Sequence, residues 1–268
     1  MLKDITLGQY FPGNSIAHKL DPRTKILLVT LYIIALFSAK GWMGYAVMAV
    51  TLAACVKVSH VGLRALVRGL KPLVFIIAFT GILNMFFTPD THYLWEWGIL
   101  RVSVKGIENA LFMVIRIMLL VMGTFLMTYT TSPIRLTDGL ESLLNPLKKI
   151  HVPVHELAMM MAIALRFIPT LIEETDKIMS AQKARGADFE SGKLMERAKA
   201  LIPILVPLFI SAFRRADELA TAMECRCYQG GEGRTKMKQL HYQRSDFAAF
   251  GAAALLTAAV IILKKFGM

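Results

Sequence analysis

Two arginines stand where a guanidinium could grip another protein. Arg185 lies in Gln182-Lys183-Ala184-Arg185-Gly186-Ala187, and Arg226 in Met223-Glu224-Cys225-Arg226-Cys227-Tyr228-Gln229-Gly230. Each closes a long apolar-striped segment. Arg185 follows Ile178 by seven positions and Ala181 by four. Arg226 follows Leu219 by seven and Met223 by three, so both continue the stripe of their own helix. The small neighbours Ala184, Gly186, Cys225 and Cys227 let a partner surface approach the backbone, where the rigid fork can meet a carboxylate or exposed carbonyls. A competing reading is local: arginine complements the dipole at a helix C-terminus, and Gly186 serves as the residue after the cap. For either arginine alone the local reading is the stronger one. Two copies on two long arms favour docking.

Other chemistry is sparse. The sequence has no G-x-x-x-x-G-K-[ST] phosphate loop, no H-E-x-x-H metal helix and no G-x-S-x-G nucleophile turn. His151 and His155 have the i, i+4 spacing of two ligands on one helix face, but Pro153 intervenes and no companion set is in view. Cys55, Cys225 and Cys227 form neither a disulfide framework nor a four-ligand zinc site, and Cys225-x-Cys227 points two thiols to different faces. No metal site or catalytic set is expected. Arg116, inside the apolar run Ala110–Met122, is a functional candidate by default, because a charge in a membrane needs a partner. Glu108 is two turns away, too far for a direct pair, and a structural role against neighbouring helices is the favoured reading. Arg166 precedes Phe167 and Pro169, where it would support a bend.

The elements that position these residues are membranous. The 268 residues are 55% hydrophobic with a mean hydropathy of +0.52, which indicates an integral membrane protein. A net charge of +12 then reports Lys and Arg held on the cytoplasmic side rather than nucleic-acid binding. No signal peptide is evident at the N-terminus. Apolar runs at Ile26–Ala39, Trp42–Val58, Leu73–Phe87, Ile107–Thr128 and Phe247–Leu263 give five expected spans, the short ones bracketed by snorkelling lysines. Lys3, Lys19, Arg23 and Lys25 precede the first span, and Lys57, Arg64, Arg68 and Lys71 lie between the second and third. Tyr93, Trp95 and Trp97 suit the opposite interface. The N-terminus and the region from Thr131 to Asp246 are therefore expected inside, and the C-terminus outside.

Within that inner region, Ser132-Pro133 starts a helix that ends near Asn145-Pro146 or Lys148-Lys149. A second helix spans about 154–184, bent at Pro169, and a third spans about 193–227, with Pro203 and Pro207 in its first half. The expected layout is an all-α membrane protein: spans in 1–131, a coupling region of amphipathic helices in 132–245, and a last span in 246–268. Asp21-Pro22 reads as a helix start, with Arg23 and Lys25 as inner-leaflet anchors.

These stretches together resemble the transmembrane T component of energy-coupling factor (ECF) transporters, the CbiQ-like family. The resemblance rests on Ala184-Arg185-Gly186 and Cys225-Arg226-Cys227 at the arm ends and on Leu20-Asp21-Pro22-Arg23-Thr24-Lys25 near the start. Thr130–Leu147 and Ala164–Gly186 extend it, so it runs nearly end to end. The second signature departs from Ala-Arg-Gly by its two cysteines. What the resemblance implies is a non-catalytic scaffold in the cell membrane, with no cofactor of its own. It would join a membrane-embedded substrate-binding S component to two cytoplasmic ATP-binding subunits, which hold the ATP. Arg185 and Arg226 would dock one on each ATPase, and Arg116 and Arg166 would be structural or S-component contacts. Substrate choice, a vitamin or a metal ion, would reside in the S component. The alternative, a secondary transporter or channel with its own site, calls for paired polar residues in broken spans and an inverted repeat, neither of which is found.

Overall fold

Proline and a capping acid fix where the first long helix begins. Asp21 is extended, its carboxylate accepts the Arg23 N–H at 2.9 Å, and Pro22 takes the first helical position, where a missing N–H costs nothing. The computed structural model describes residues 10–88, 93–97, 100–189, 194–231 and 239–265. Along these run α1 (Ile16–Lys19), α2 (Pro22–Ser38), α3 (Gly41–Ser59), α4 (Leu63–Leu70) and α5 (Val74–Phe87). A hairpin of β1 (Tyr93–Trp97) and β2 (Leu100–Ser103) precedes α6 (Val104–Thr130). Then come α7 (Pro133–Leu144), α8 (Val154–Ala184), α9 (Leu194–Cys225) and α10 (Arg244–Lys265). The architecture is that of an all-α membrane protein with one short antiparallel hairpin between α5 and α6. The side chains of Tyr93, Trp95 and Trp97, expected at the outer interface, lie outside the described residues, as does Lys3.

Among the described residues, five helical stretches are long and apolar enough to cross a bilayer: α3, the run Leu63–Phe87, α6, α8 and α10. The number matches the expectation, but the membership differs by one. The first expected span coincides with α2, whose 17 residues fall below the twenty or so that a perpendicular crossing takes. The 31-residue α8 joins the set because its first half is nearly all apolar. The third span is longer than expected: α4 passes through a 3₁₀ turn at Lys71–Leu73 into α5, so helix begins at Leu63 rather than Leu73. Pro72 sits in the first turn of that 3₁₀ segment, where it continues the helical path instead of ending it.

The described chain divides into two compact units. One takes in the residues up to Ser142 together with those from Leu240 onward; the other holds Leu143–Gln239. In the first unit α6 is central, with α2, α3, α4 and α5 packed around it and α10 packed on α2 and α3. Its core joins Ala35, Leu36, Met48, Leu52, Leu66, Leu119, Tyr129 and Val260. Close packing depends on small residues: a Cβ on Gly123 would stand 2.5 Å from the Tyr32 ring, and one on Gly69 would stand 2.5 Å from Phe125.

One end of this bundle is tied by buried polar groups. Asp246, fully buried in the first turn of α10, accepts the Gln243 N–H at 2.7 Å, the reaching-back half of a capping box. Its other oxygen accepts the Asp21 N–H at 2.9 Å, so α2 and α10 begin side by side and run in the same direction. Arg23 and Lys25, expected at the lipid surface, are turned into this tie instead. Arg23 donates to the Leu240 carbonyl and lies over the Tyr242 ring. Lys25, 4% exposed, donates to the Thr130 carbonyl at 2.9 Å and the Thr131 hydroxyl at 3.0 Å. The last turn of α6 leaves carbonyls without helical donors, and a buried ammonium is a strong substitute.

In the second unit α8 and α9 pack as an antiparallel pair. Gln182 meets Pro203, Glu174 meets Ser211 and Arg215, and the His155 ring lies against Gly231. A 31-residue helix is roughly 46 Å long. Pro169 lies inside α8, and Pro203 and Pro207 inside α9.

Candidate functional site

Each arm ends in the same way. Arg185 is the cap residue of α8; the Gly186 N–H donates to the Lys183 carbonyl and the Ala187 N–H to the Gln182 carbonyl, both at 3.0 Å. Arg226 follows α9; the Cys227 N–H donates to Glu224 at 2.8 Å and the Tyr228 N–H to Met223 at 3.0 Å. This is one Schellman motif written twice, with arginine at the cap and a left-handed residue after it. Gly186 has φ +89° and Cys227 φ +55°. Glycine adopts that region freely, whereas an L side chain there costs about 1 kcal/mol. The local cap reading of Gly186 thus holds, and it extends to Cys227, which the sequence did not mark as a cap.

The cap does not use the arginine side chains. It consumes backbone N–H groups and satisfies the last carbonyls, so neither guanidinium is needed to close its helix. Arg185 and Arg226 are both exposed, and among the described residues neither has a hydrogen bond, ion pair or ring contact. Ala184, Gly186, Cys225 and Cys227 around them are exposed too, and a Cβ on Gly186 would meet nothing within 4 Å. Because α8 and α9 are antiparallel, the two arginines sit at opposite ends of the pair. The structure does not join them into one site but presents two.

Between the ends, polar contacts register the arms. Glu174 accepts from the Ser211 hydroxyl and, at 2.8 Å, from Arg215. The Arg215–Glu174 pair is partly exposed, so solvent screens it, and it sets the register of the two helices more than it stabilises them. Pro207 has no N–H to offer the Pro203 carbonyl four residues earlier, and Gln182 donates to that carbonyl across the pair at 3.5 Å. Both prolines were legible in the first half of the third helix. The residue that answers the missing donor, one turn before Arg185, was not.

The family described as cobalt transport protein, CbiQ, matches residues 13–237, a stretch that takes in α1 to α9 and both arm ends. The chain belongs to that family. It is 54% identical to the energy-coupling factor transporter transmembrane protein EcfT of Ruminiclostridium cellulolyticum over 98% of each chain. It is 55% identical to the protein of that name in Thermosediminibacter oceani, over 97% of this chain and 98% of the other. The Bacillus subtilis protein of that name is 46% identical over 98% of this chain and its own whole length. The resemblance read from the sequence is borne out.

The remaining CbiQ-type candidates fall elsewhere. Arg116 has the partner that the sequence could not name: its Nε donates to the Tyr45 hydroxyl at 2.8 Å, and its guanidinium lies 5.7 Å from the ring centres of Phe37 and Tyr45. It joins α6 to α2 and α3 within the bundle. Arg166 is exposed on α8, and among the described residues it has no hydrogen bond or ion pair. His151 is a left-handed cap residue, φ +61°, at the end of a 3₁₀ turn, while His155 faces Gly231, so the spacing does not act as a chelate. Among the described residues no three of His, Cys, Asp and Glu gather as a metal site.

Proposed function

We propose that this chain, a membrane component of a transporter by its family, transmits ATP hydrolysis from two partner ATP-binding subunits to a membrane-embedded substrate-binding S component. In this account α8 and α9 are the force-bearing arms of a cytoplasmic coupling region spanning 132–245. The helices of 1–131 and 246–268 are the membrane part, with the N-terminus inside. Arg185 docks on one ATPase and Arg226 on the other; Ala184, Gly186, Cys225 and Cys227 let each groove close on the backbone. The chain performs no chemistry itself and binds no cofactor; ATP belongs to the partners. When the ATPases close and open, the arms move as levers, and the S component reorients to release a vitamin or other micronutrient inside. The names of the relatives support the transporter assignment.

The observation that carries the docking is the duplicated cap. Two helices of unrelated sequence reach the same backbone turn, and each leaves an exposed arginine that is unpaired among the described residues, at an opposite end of the pair. A structural arginine would be bonded within the chain, as Arg116 is. Co-purification with tagged ATP-binding subunits tests this reading. Arg185→Ala and Arg226→Ala are each expected to lower recovery of the ATPases, and the double variant to lower it most. Undiminished recovery from the double variant would refute it.

A further inference from the structure

The short helix α4 carries three stripes. Leu66 and Leu70 are buried in the bundle, Leu63 and Val67 are 65% and 57% exposed, and Arg64 and Arg68 are exposed on the far side of Leu63 and Val67. The two arginines stand one turn apart and face the same cavity, of about 720 Å³. Ser15 and His18 of the N-terminal segment and Ser59 and His60 of the α3–α4 corner also line it. The His18 ring is bonded to the Ser15 hydroxyl at 2.6 Å and to the Phe11 carbonyl at 3.0 Å, which fixes that wall. His60 turns the corner in the left-handed region, φ +54°. No Asp or Glu lines the cavity, and among the described residues neither arginine has a hydrogen bond or an ion pair.

Two guanidinium groups facing a shared cavity, with hydroxyls and imidazoles lining it, have the chemistry that binds an anion. Two parallel N–H donors per arginine match phosphate oxygens. The surroundings say where the phosphate comes from. Helix runs from Leu63 to Phe87 as one of the stretches able to cross a bilayer, so Arg64 and Arg68 occupy the first turns of a span. Headgroups lie at that level, and basic pockets between membrane helices there suit anionic lipids. Leu63 and Val67, exposed beside the arginines, offer apolar surface to acyl chains. A free phosphate would have no use for them.

We propose that this cavity is a binding site for an anionic phospholipid, with Arg64 and Arg68 gripping the phosphate and Leu63 and Val67 lying against its chains. The site is separate from the arm ends, and it stands whether or not those ends dock on ATPases. Its effect is to hold the start of the α4–α5 span at a fixed depth in the bilayer.

The test uses the full chain purified in mild detergent, titrated with phosphatidylglycerol and read by native mass spectrometry. Phosphatidylcholine and inorganic phosphate serve as the comparison probes. Arg64→Gln with Arg68→Gln is expected to weaken phosphatidylglycerol retention roughly 30-fold, from two surface arginines. Arg64→Lys with Arg68→Lys, which keeps the charge and loses the fork, should fall between and covers the case in which the glutamine pair misfolds. Lys148→Gln with Lys149→Gln should retain lipid as the unaltered chain does. Three results would each overturn the proposal. Retention could be equal in the glutamine pair and the unaltered chain. Inorganic phosphate could displace the lipid at equal concentration, which makes this a free-phosphate site. In a parallel co-purification with tagged ATP-binding subunits, the glutamine pair could lose those subunits while retaining lipid, which makes it a protein-docking surface.

Discussion

Three cations of the bundle, Arg23, Lys25 and Arg116, and the two arginines of the arm ends are treated oppositely. Lys25 is buried and bonded to Thr130 and Thr131, Arg23 to Leu240, and Arg116 to Tyr45 beneath an aromatic pair. Each answers a need inside the chain, whether a bare helix end or a charge among apolar helices. Among the described residues Arg185 and Arg226 answer none, since the Schellman turns satisfy their helix ends with backbone alone. A guanidinium that its own fold leaves without work is available to another molecule. The contrast separates arginines that hold this protein together from arginines that the described residues leave unpaired, which is what the docking proposal requires.

The largest effect expected from this contrast concerns partner affinity. Arg185→Ala or Arg226→Ala should weaken binding to the ATP-binding pair by about 2–5 kcal/mol, the cost of truncating a hydrogen-bonded interfacial charge. Calorimetric titration would show it, and the melting temperature of the isolated chain should not move. A fall in melting temperature with unchanged affinity would reverse the contrast. Next comes the buried side. Asp246→Ala strands the buried Asp21 N–H, at about 1–3 kcal/mol, and also releases the Gln243 N–H, which lies nearer solvent. Thermal unfolding in detergent should register a clear loss of stability, while affinity for the ATPases stays as it was.

Smaller effects probe the caps. Gly186→Ala places a Cβ at φ +89° and should cost about 1 kcal/mol at the end of α8. Hydrogen exchange at Ala187 and Gly186 would report faster opening there. Cys227→Gly should act in the opposite sense and more weakly, slowing exchange at Tyr228 as a side chain is relieved from φ +55°. If both substitutions speed exchange equally, the two ends are not the same motif.

Much of this was readable before the fold. Asp21-Pro22 announced the start of α2, Ser132-Pro133 that of α7, and the proline and apolar spacing placed α8 and α9 within a residue or two. Those are local signals, set by single-residue backbone chemistry. What stayed hidden is what needs two distant residues. Asp246 lies 225 positions from Asp21, and Tyr45 lies 71 from Arg116. Neither bond leaves a mark on sequence spacing, which is why Lys25 and Arg23 read as lipid anchors. At the arm ends the glycine was legible as a cap, because only glycine reaches that region at no cost. Cys227 was not, because a cysteine in the left-handed region is a tolerated cost rather than a preference.

The measurement that bears most directly on the central claim is ATP-driven uptake by the reconstituted transporter carrying both Arg185→Ala and Arg226→Ala. Uptake would be read alongside ATP hydrolysis and the thermal stability of the isolated chain. Loss of uptake with an unchanged melting temperature is the result expected of two arginines that serve a partner. Full uptake in the double variant would contradict the account.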